Sequence, residues 1–185
     1  MTALKKYLAL AVAFTLSIAI AYGIGRYQTS HPVCLDKTEV YFSPHGGCTE
    51  AILDQIGKSK HQILVQAYSF TSPQIARALL EAHKRNVKVE VILDKGQRSQ
   101  SYSSPTFLHN SGIPTCIDSA HAIAHNKVII IDGKIVITGS FNFTKAAEEK
   151  NSENLLIIES EELAKKYIQN WNNHRGHSEV YTPKY

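Results

Sequence analysis

A chain of 185 residues has room for one hydrophobic core of ordinary size and not for two. With 43% hydrophobic and 19% charged residues and no internal repeat it is a globular sequence, which excludes a disordered, low-complexity or repeat-built protein. The formal charge is +4; setting aside Lys5 and Lys6 leaves 18 of the 20 basic residues against 16 acidic ones, too even a balance for nucleic-acid binding through overall charge, so any such affinity must rest on a local patch.

Lys5 and Lys6 precede an uncharged apolar run at residues 7–24, the pattern of a secretory signal. Ala19-Ile20-Ala21 offers a small-residue cleavage site, and the run is also nearly long enough to span a bilayer uncut. Residues 1–24 are therefore expected to be a signal peptide or an N-terminal membrane anchor. Either places the body outside the cytoplasm: periplasmic, extracellular, or tethered on the outer side of the cytoplasmic membrane. Residues 25–37, polar and containing Pro32, read as a linker, and residues 38–185 as the domain. Cys34, Cys48 and Cys116 leave two readings: one bridged pair, with Cys34–Cys48 closing a short loop or Cys116 competing, or buried free thiols. Their spacing does not resemble a zinc site.

Elements then alternate. A strand is expected at 38–42 and a helix at 48–58 with Ile52, Leu53 and Ile56 on one face. A buried strand at 61–68 precedes a helix at 73–85, capped by Ser72 with Pro73 at its first position. The β-branched run 87–93 is a strand, 95–104 an exposed loop, 106–110 a short helix closed by Gly112, and 113–117 a short strand. Strands at 128–131 and 135–138 are joined by Asp132-Gly133, a hairpin signal. A strand at 155–158 and a helix at 161–174, striped by Leu163, Tyr167, Ile168 and Trp171, complete the order. This is an α/β sandwich: a mixed β-sheet with helices on its faces.

Chemistry concentrates in one stretch. His125 and Lys127 stand two residues apart at the entry of a strand, where alternate residues face one side. After the hairpin, Ser140 and Asn142 repeat that spacing and can reach the same space. An imidazole, a fixed cation, a hydroxyl and an amide together suit a tetrahedral anion, with the histidine able to attack phosphorus. Taken singly, a histidine beside an apolar strand is usually structural and a Gly-Ser pair usually a turn; the combination carries the signal.

The spacing His125-x-Lys127-x4-Asp132 followed by Gly139-Ser140-x-Asn142 resembles the motif of the phospholipase D superfamily. The segments 67–73, 111–114, 139–147 and 150–154 are further similar to the small bacterial Nuc-type endonucleases, and the likeness extends from about Thr38 to the C-terminal helix. It implies the α/β sandwich, cleavage of DNA and often of RNA and simple phosphodiesters, and no metal or other cofactor. It makes His125 the nucleophile that forms a phosphohistidine, Lys127 and Asn142 the phosphate holders, and Ser140 their support. Glu153 matches the carboxylate that holds the histidine ring, which would fix the tautomer. Asp132 matches the motif aspartate; its place in a turn suggests hydrogen bonding to the backbone.

In-line displacement at phosphorus needs an acid opposite the nucleophile. Superfamily members supply a second motif histidine. This chain has one motif, so a two-fold homodimer with a shared active site is expected. His121 is the rival acid. It lies four residues before His125 in an extended segment without the helix and glutamate of zinc proteases, so no metal site is expected there. His31, His45, His61, His83, His109, His174 and His177 are assigned surface or packing roles. Nucleic acid is the expected substrate, with the 95–104 loop, Lys145 and Lys150 able to line a groove for phosphates. Phospholipid or cardiolipin hydrolysis near a membrane is the alternative, and a silent nucleic-acid-binding module is the reading from another class.

Overall fold

The computed structural model describes residues 37–99 and 104–183. The apolar run 7–24 and Cys34 lie outside them. Chain order is β1 (Lys37–Ser43), α1 (Cys48–Lys58), β2 (Gln62–Ala67), α2 (Pro73–Lys84), β3 (Lys88–Asp94), a short 3-10 helix (Lys95–Ser99), α3 (Ser104–Asn110), β4 (Thr115–Asp118), β5 (Lys127–Ile131), β6 (Ile135–Gly139), α4 (Lys145–Glu149), β7 (Glu153–Glu159), α5 (Glu161–His177) and β8 (Glu179–Val180).

The strands form one sheet in the order β1-β7-β6-β5-β2-β3-β4-β8. β2, β3 and β4 run parallel, joined by crossovers that carry helices, and every other pairing is antiparallel. Alternation along the strands feeds two cores. On one face Ile63, Val65, Val89, Val91, Ile129 and Ile131 pack with Ile52 and Ile56 of α1 and with Ile75 and Leu79 of α2. On the other, Leu64, Ile92, Val128, Ile130 and Val136 pack under Ala164 and Trp171 of α5, with Leu163, Tyr167 and Ile168 at the margin. The stripe expected on that last helix is thus its buried face. The Trp171 indole N–H also donates to the carbonyl of Val65 at 3.0 Å, fixing α5 across the sheet.

Side-chain caps set where helices begin. The hydroxyls of Ser72, Thr144 and Ser160 accept from the backbone N–H three residues on, at 3.3, 3.1 and 3.3 Å. Three expectations are corrected. Part of the 95–104 loop is the 3-10 helix, and α3 starts at Ser104, not 106. The helix expected at 161–174 runs on to His177, where Ser178 ends it and its hydroxyl donates to the carbonyl of His174 at 2.7 Å, closing the last turn. β8 was not foreseen: two exposed residues carry no alternation, and the strand exists through pairing with Cys116 and Ile117. Cys48 and Cys116 are buried free thiols; burial, then the nearby Glu148, pushes the Cys48 thiol up to about 11.

Candidate active site

β7, β6, β5 and β2 are neighbours in the sheet, and the candidate residues other than Asp132 lie at or just beyond strand ends on one side of it. β5 begins at Lys127, β6 ends at Gly139, β7 begins at Glu153 and β2 ends at Ala67. Antiparallel pairing makes these four termini coincide: Ala67 pairs with Lys127, and Gly139 with Leu155. Beyond the strands the connections stay laced. Tyr68 N–H donates to Asn126 at 2.8 Å, Phe143 N–H to Ser69 at 3.2 Å, and Phe70 and Phe143 form a parallel bridge.

His125 is exposed, and its ring lies 4.5 Å from that of Tyr68 at an interplanar angle of 52°. Lys127 is buried, 7% exposed; its ammonium donates to the carbonyl of His125 at 2.8 Å and stands 5.0 Å from the centroid of the Tyr68 ring. One aromatic side chain thus supports both motif residues, through ring contact and cation–π attraction. Burial lowers the Lys127 pKa, and the negative charge of Glu153 works against that shift. Among the described residues no carboxylate bonds Lys127, so this desolvated cation is ready to meet an incoming anion.

Ser140 accepts from Asn154 N–H at 3.0 Å through its hydroxyl oxygen, which leaves the hydroxyl proton for another acceptor. Its own N–H and that of Phe141 both donate to the carbonyl of Asn154, each at 3.1 Å. This close lacing explains Gly139: its φ is +148°, and a Cβ there would lie 2.3 Å from the Asn154 carbonyl oxygen. The side-chain oxygen of Asn142 is buried without a hydrogen-bond partner among the described residues; that oxygen can only accept, and it is the amide NH₂ that can donate to a phosphate oxygen. Glu153 accepts from the Asn151 amide at 3.1 Å and acts on Lys127 through its charge.

Asp132 is not brought to this end. It follows the last residue of the five-residue β5, roughly 17 Å from Lys127 at the usual strand rise. Its carboxylate accepts three backbone N–H bonds, from Lys60 at 2.8 Å, His61 at 2.7 Å and Gln62 at 2.9 Å. Burial alone would raise its pKa; the N–H groups of Gln62, His61 and Lys60 outweigh that and hold it below the usual carboxylate range. The motif aspartate ties the hairpin to the start of β2, as its turn position suggested.

Several contributors carried no recognisable signal in the sequence. Asp94, buried, accepts from Ala124 N–H at 2.8 Å and so fixes the segment entering His125. Gln97, buried, accepts from Phe70 N–H at 3.3 Å. Tyr68 was visible only as part of the similar segment 67–73. Of the cations proposed to line a groove, Lys95 bonds the carbonyl of His121 at 2.9 Å and Lys145 pairs with Glu149 at 3.5 Å, while Lys150 is exposed.

The role given to His174 and His177 is also corrected. Both reach the buried Asp118 at the end of β4, at 2.7 and 3.3 Å, and His121 reaches it at 3.2 Å. Burial would raise the Asp118 pKa, but hydrogen bonds from His174, His121 and His177 and the Ala120 N–H bring it down to about 2.

Comparison with known proteins agrees with this fold. Residues 52–175 match the family described as "Cardiolipin synthase, PLD-like domain". The chain is 40% identical to a phospholipase D of Rickettsia conorii, over 93% of this chain and 96% of that one. It is similar to the crystal structure of Nuc from Salmonella typhimurium, a phospholipase D family member, with a TM-score of 0.74 and 40% identity over 78% of this chain and 97% of that one. A mitochondrial cardiolipin hydrolase of Xenopus laevis is 34% identical over 63% of this chain and 55% of its own length. The chain therefore belongs to the phospholipase D superfamily and is one of its phosphodiesterases.

Proposed function

We propose that this phosphodiesterase is an exported endonuclease that hydrolyses DNA, and RNA with it, through a phosphohistidine on His125, with no metal in the chemical step. The observation that carries this reading is the pairing of an exposed imidazole with a desolvated ammonium on one aromatic support, in a chain whose likeness to Nuc spans nearly all of that protein. His125 attacks phosphorus and the P–O bond to the leaving group breaks. Lys127 and Asn142 hold non-bridging oxygens, Ser140 donates its hydroxyl proton, and Glu153 orients the ring. The leaving oxygen takes a proton from a second His125 across a two-fold axis; that histidine, now a base, activates water to break the P–N bond, which frees His125 and a strand end that keeps its phosphate as a monoester. Phe42, 63% exposed, supports a contact there: it pairs with Asn154, which bonds Ser140, so an apolar side chain borders the site on the edge strand.

The second reading is phospholipid hydrolysis. It is favoured by the name of the Rickettsia conorii relative and by Ile123, 57% exposed two residues before His125, where an acyl chain could lie. One assay separates the two: the purified chain in excess EDTA, well below its melting temperature, on single- and double-stranded DNA, RNA and cardiolipin vesicles. Cleavage of nucleic acid with cardiolipin untouched is expected. Cardiolipin hydrolysis alone would move the assignment to lipid, and loss of all activity restored by Mg²⁺ would overturn the mechanism.

A further inference from the structure

Away from the phosphodiester site, four potential metal ligands meet at the outer end of β4. Asp118 closes that strand and is fully buried. His121 comes from the following loop, and His174 and His177, three apart on one side of the helix, come from the last turns of α5. One carboxylate oxygen of Asp118 lies 2.7 Å from His174 Nδ1, 3.2 Å from His121 Nδ1 and 3.3 Å from His177 Nε2. The three rings surround it, tilted or edge-on to one another, with centroids 4.9 to 5.3 Å apart.

We propose that Asp118, His121, His174 and His177 form a zinc site that clamps the C-terminal end of α5 to the loop leading into His125.

The donor set selects the ion. Three imidazoles and one carboxylate suit zinc, whereas Mg²⁺ and Ca²⁺ take oxygen ligands. Size agrees as well. Zinc–nitrogen bonds of about 2.05 Å in a tetrahedron put ligand atoms about 3.35 Å apart. The three histidine–aspartate distances, 2.7, 3.2 and 3.3 Å, approach that value from below, and all four ligand atoms lie within 4.8 Å of one another. His121 and His177 are exposed, so their rings have room to turn toward an ion. The same two rings give an ion a route from solvent, since their side chains are 46% and 38% exposed.

Supporting contacts are in place. Ala120 N–H donates to the other oxygen of Asp118 at 3.1 Å, Lys95 holds the carbonyl of His121 at 2.9 Å, and the Ser178 hydroxyl holds the carbonyl of His174 at 2.7 Å. Four protein ligands leave no open position for a reacting water, so the ion is structural, not catalytic. Its place gives it a purpose. The loop from Asp118 to Lys127 carries the nucleophile, and Asp94 holds it at Ala124; the zinc would hold it again at His121.

The test uses the full chain without an affinity tag, stripped with chelator and titrated with ZnCl₂ and, separately, CoCl₂, with MgCl₂ as control. We expect one equivalent of zinc, a tetrahedral cobalt absorption band, and a zinc-dependent rise in melting temperature. His121→Gln and His177→Gln, at exposed positions that keep the fold, should each weaken zinc at least about 10-fold and abolish the rise; His83→Gln should change neither. Absence of saturable one-to-one binding, or tight binding retained in both His121→Gln and His177→Gln, would overturn the site. Zinc bound there with no rise in melting temperature would overturn the clamp.

Discussion

Asp132 belongs to the motif that marks the chemistry, yet it lies at the wrong end of β5 to take part, so removing it should cost stability and spare turnover. Its carboxylate serves three backbone N–H groups at 2.7 to 2.9 Å. A hydrogen bond to a charged group contributes about 1.5–3 kcal/mol, but Lys60 and His61 are exposed and their N–H groups regain water on mutation, so about 3 kcal/mol for all three is the better figure. Asp132 also has a φ of +54°, where alanine adds a penalty of about 1 kcal/mol. Asp132→Ala should thus lose about 4 kcal/mol, lowering the melting temperature by roughly 8–16 °C for a domain of this size. Asp132→Asn tolerates the left-handed φ and keeps an acceptor oxygen, so its loss should be smaller. The pH dependence follows from the sign of the shift. A carboxyl depressed in the folded state stabilises fully above its unfolded pKa of about 3.9, and that contribution fades as pH falls through the folded value. The gap between wild type and Asp132→Asn should be present at neutral pH and close in acid. Melts by circular dichroism across pH check this, with turnover per folded molecule measured well below either transition. An Asp132→Ala chain that melts like wild type but has lost turnover would refute the scaffold role.

His125→Asn should abolish turnover on folded protein, and Lys127→Ala or Asn142→Ala should lower kcat about 10²-fold or more; near wild-type rates in His125→Asn, measured on DNA, would remove it as nucleophile. If Glu153 orients the imidazole, Glu153→Gln should lower kcat and displace the pH–rate profile with KM little changed; unchanged kinetics would return it to the ordinary exposed carboxylates. For the shared site, wild-type subunits exchanged with excess His125→Ala subunits should lose activity far beyond dilution, because mixed dimers hold one motif histidine; activity that tracks the amount of wild-type chain would mean each subunit works alone, with His121 the next acid to test.

What the sequence discloses depends on how far apart in the chain the partners stand. His125, Lys127, Ser140 and Asn142 lie within one hairpin, so their gathering follows from strand alternation and a turn at Asp132-Gly133. The hairpin register, with Val128 opposite Thr138, sets side by side the strand ends that lead to these residues. The buried helix faces were legible for the same reason: local period marks Ile52 and Ile56 on α1, and Leu163, Tyr167, Ile168 and Trp171 on α5, although one core was expected and the sheet separates two. Tyr68, Asp94 and Gln97 were not legible as parts of the site, since nothing local distinguishes an aromatic or a carboxylate that supports a loop from one that does not. Asp94 reaches Ala124 across 30 residues, and only the parallel pairing of β3 with β4 brings the two together.

The histidine cluster marks the boundary most clearly, because half of it could be anticipated. Trp171 sits on the stripe of α5 that faces the sheet, and three residues on, His174 continues the stripe toward the helix end. A buried stripe that ends in a histidine predicts an imidazole facing the sheet's margin; it does not predict what it meets there. Asp118 is 56 residues earlier, and β4 had to be placed third from β5, past β2 and β3, before that meeting could be foreseen. Reading 161–174 as the whole helix also left His177 outside it, and the spacing of two ligands on one helical face was lost with it. An H-x-x-H pair spanning the last turn of a helix whose buried stripe leads to it is therefore a stronger indication of ligand geometry than the H-x-x-x-H pair of His121 and His125. The latter lies outside any helix, and its two members meet different partners, His121 the carboxylate of Asp118 and His125 the ring of Tyr68.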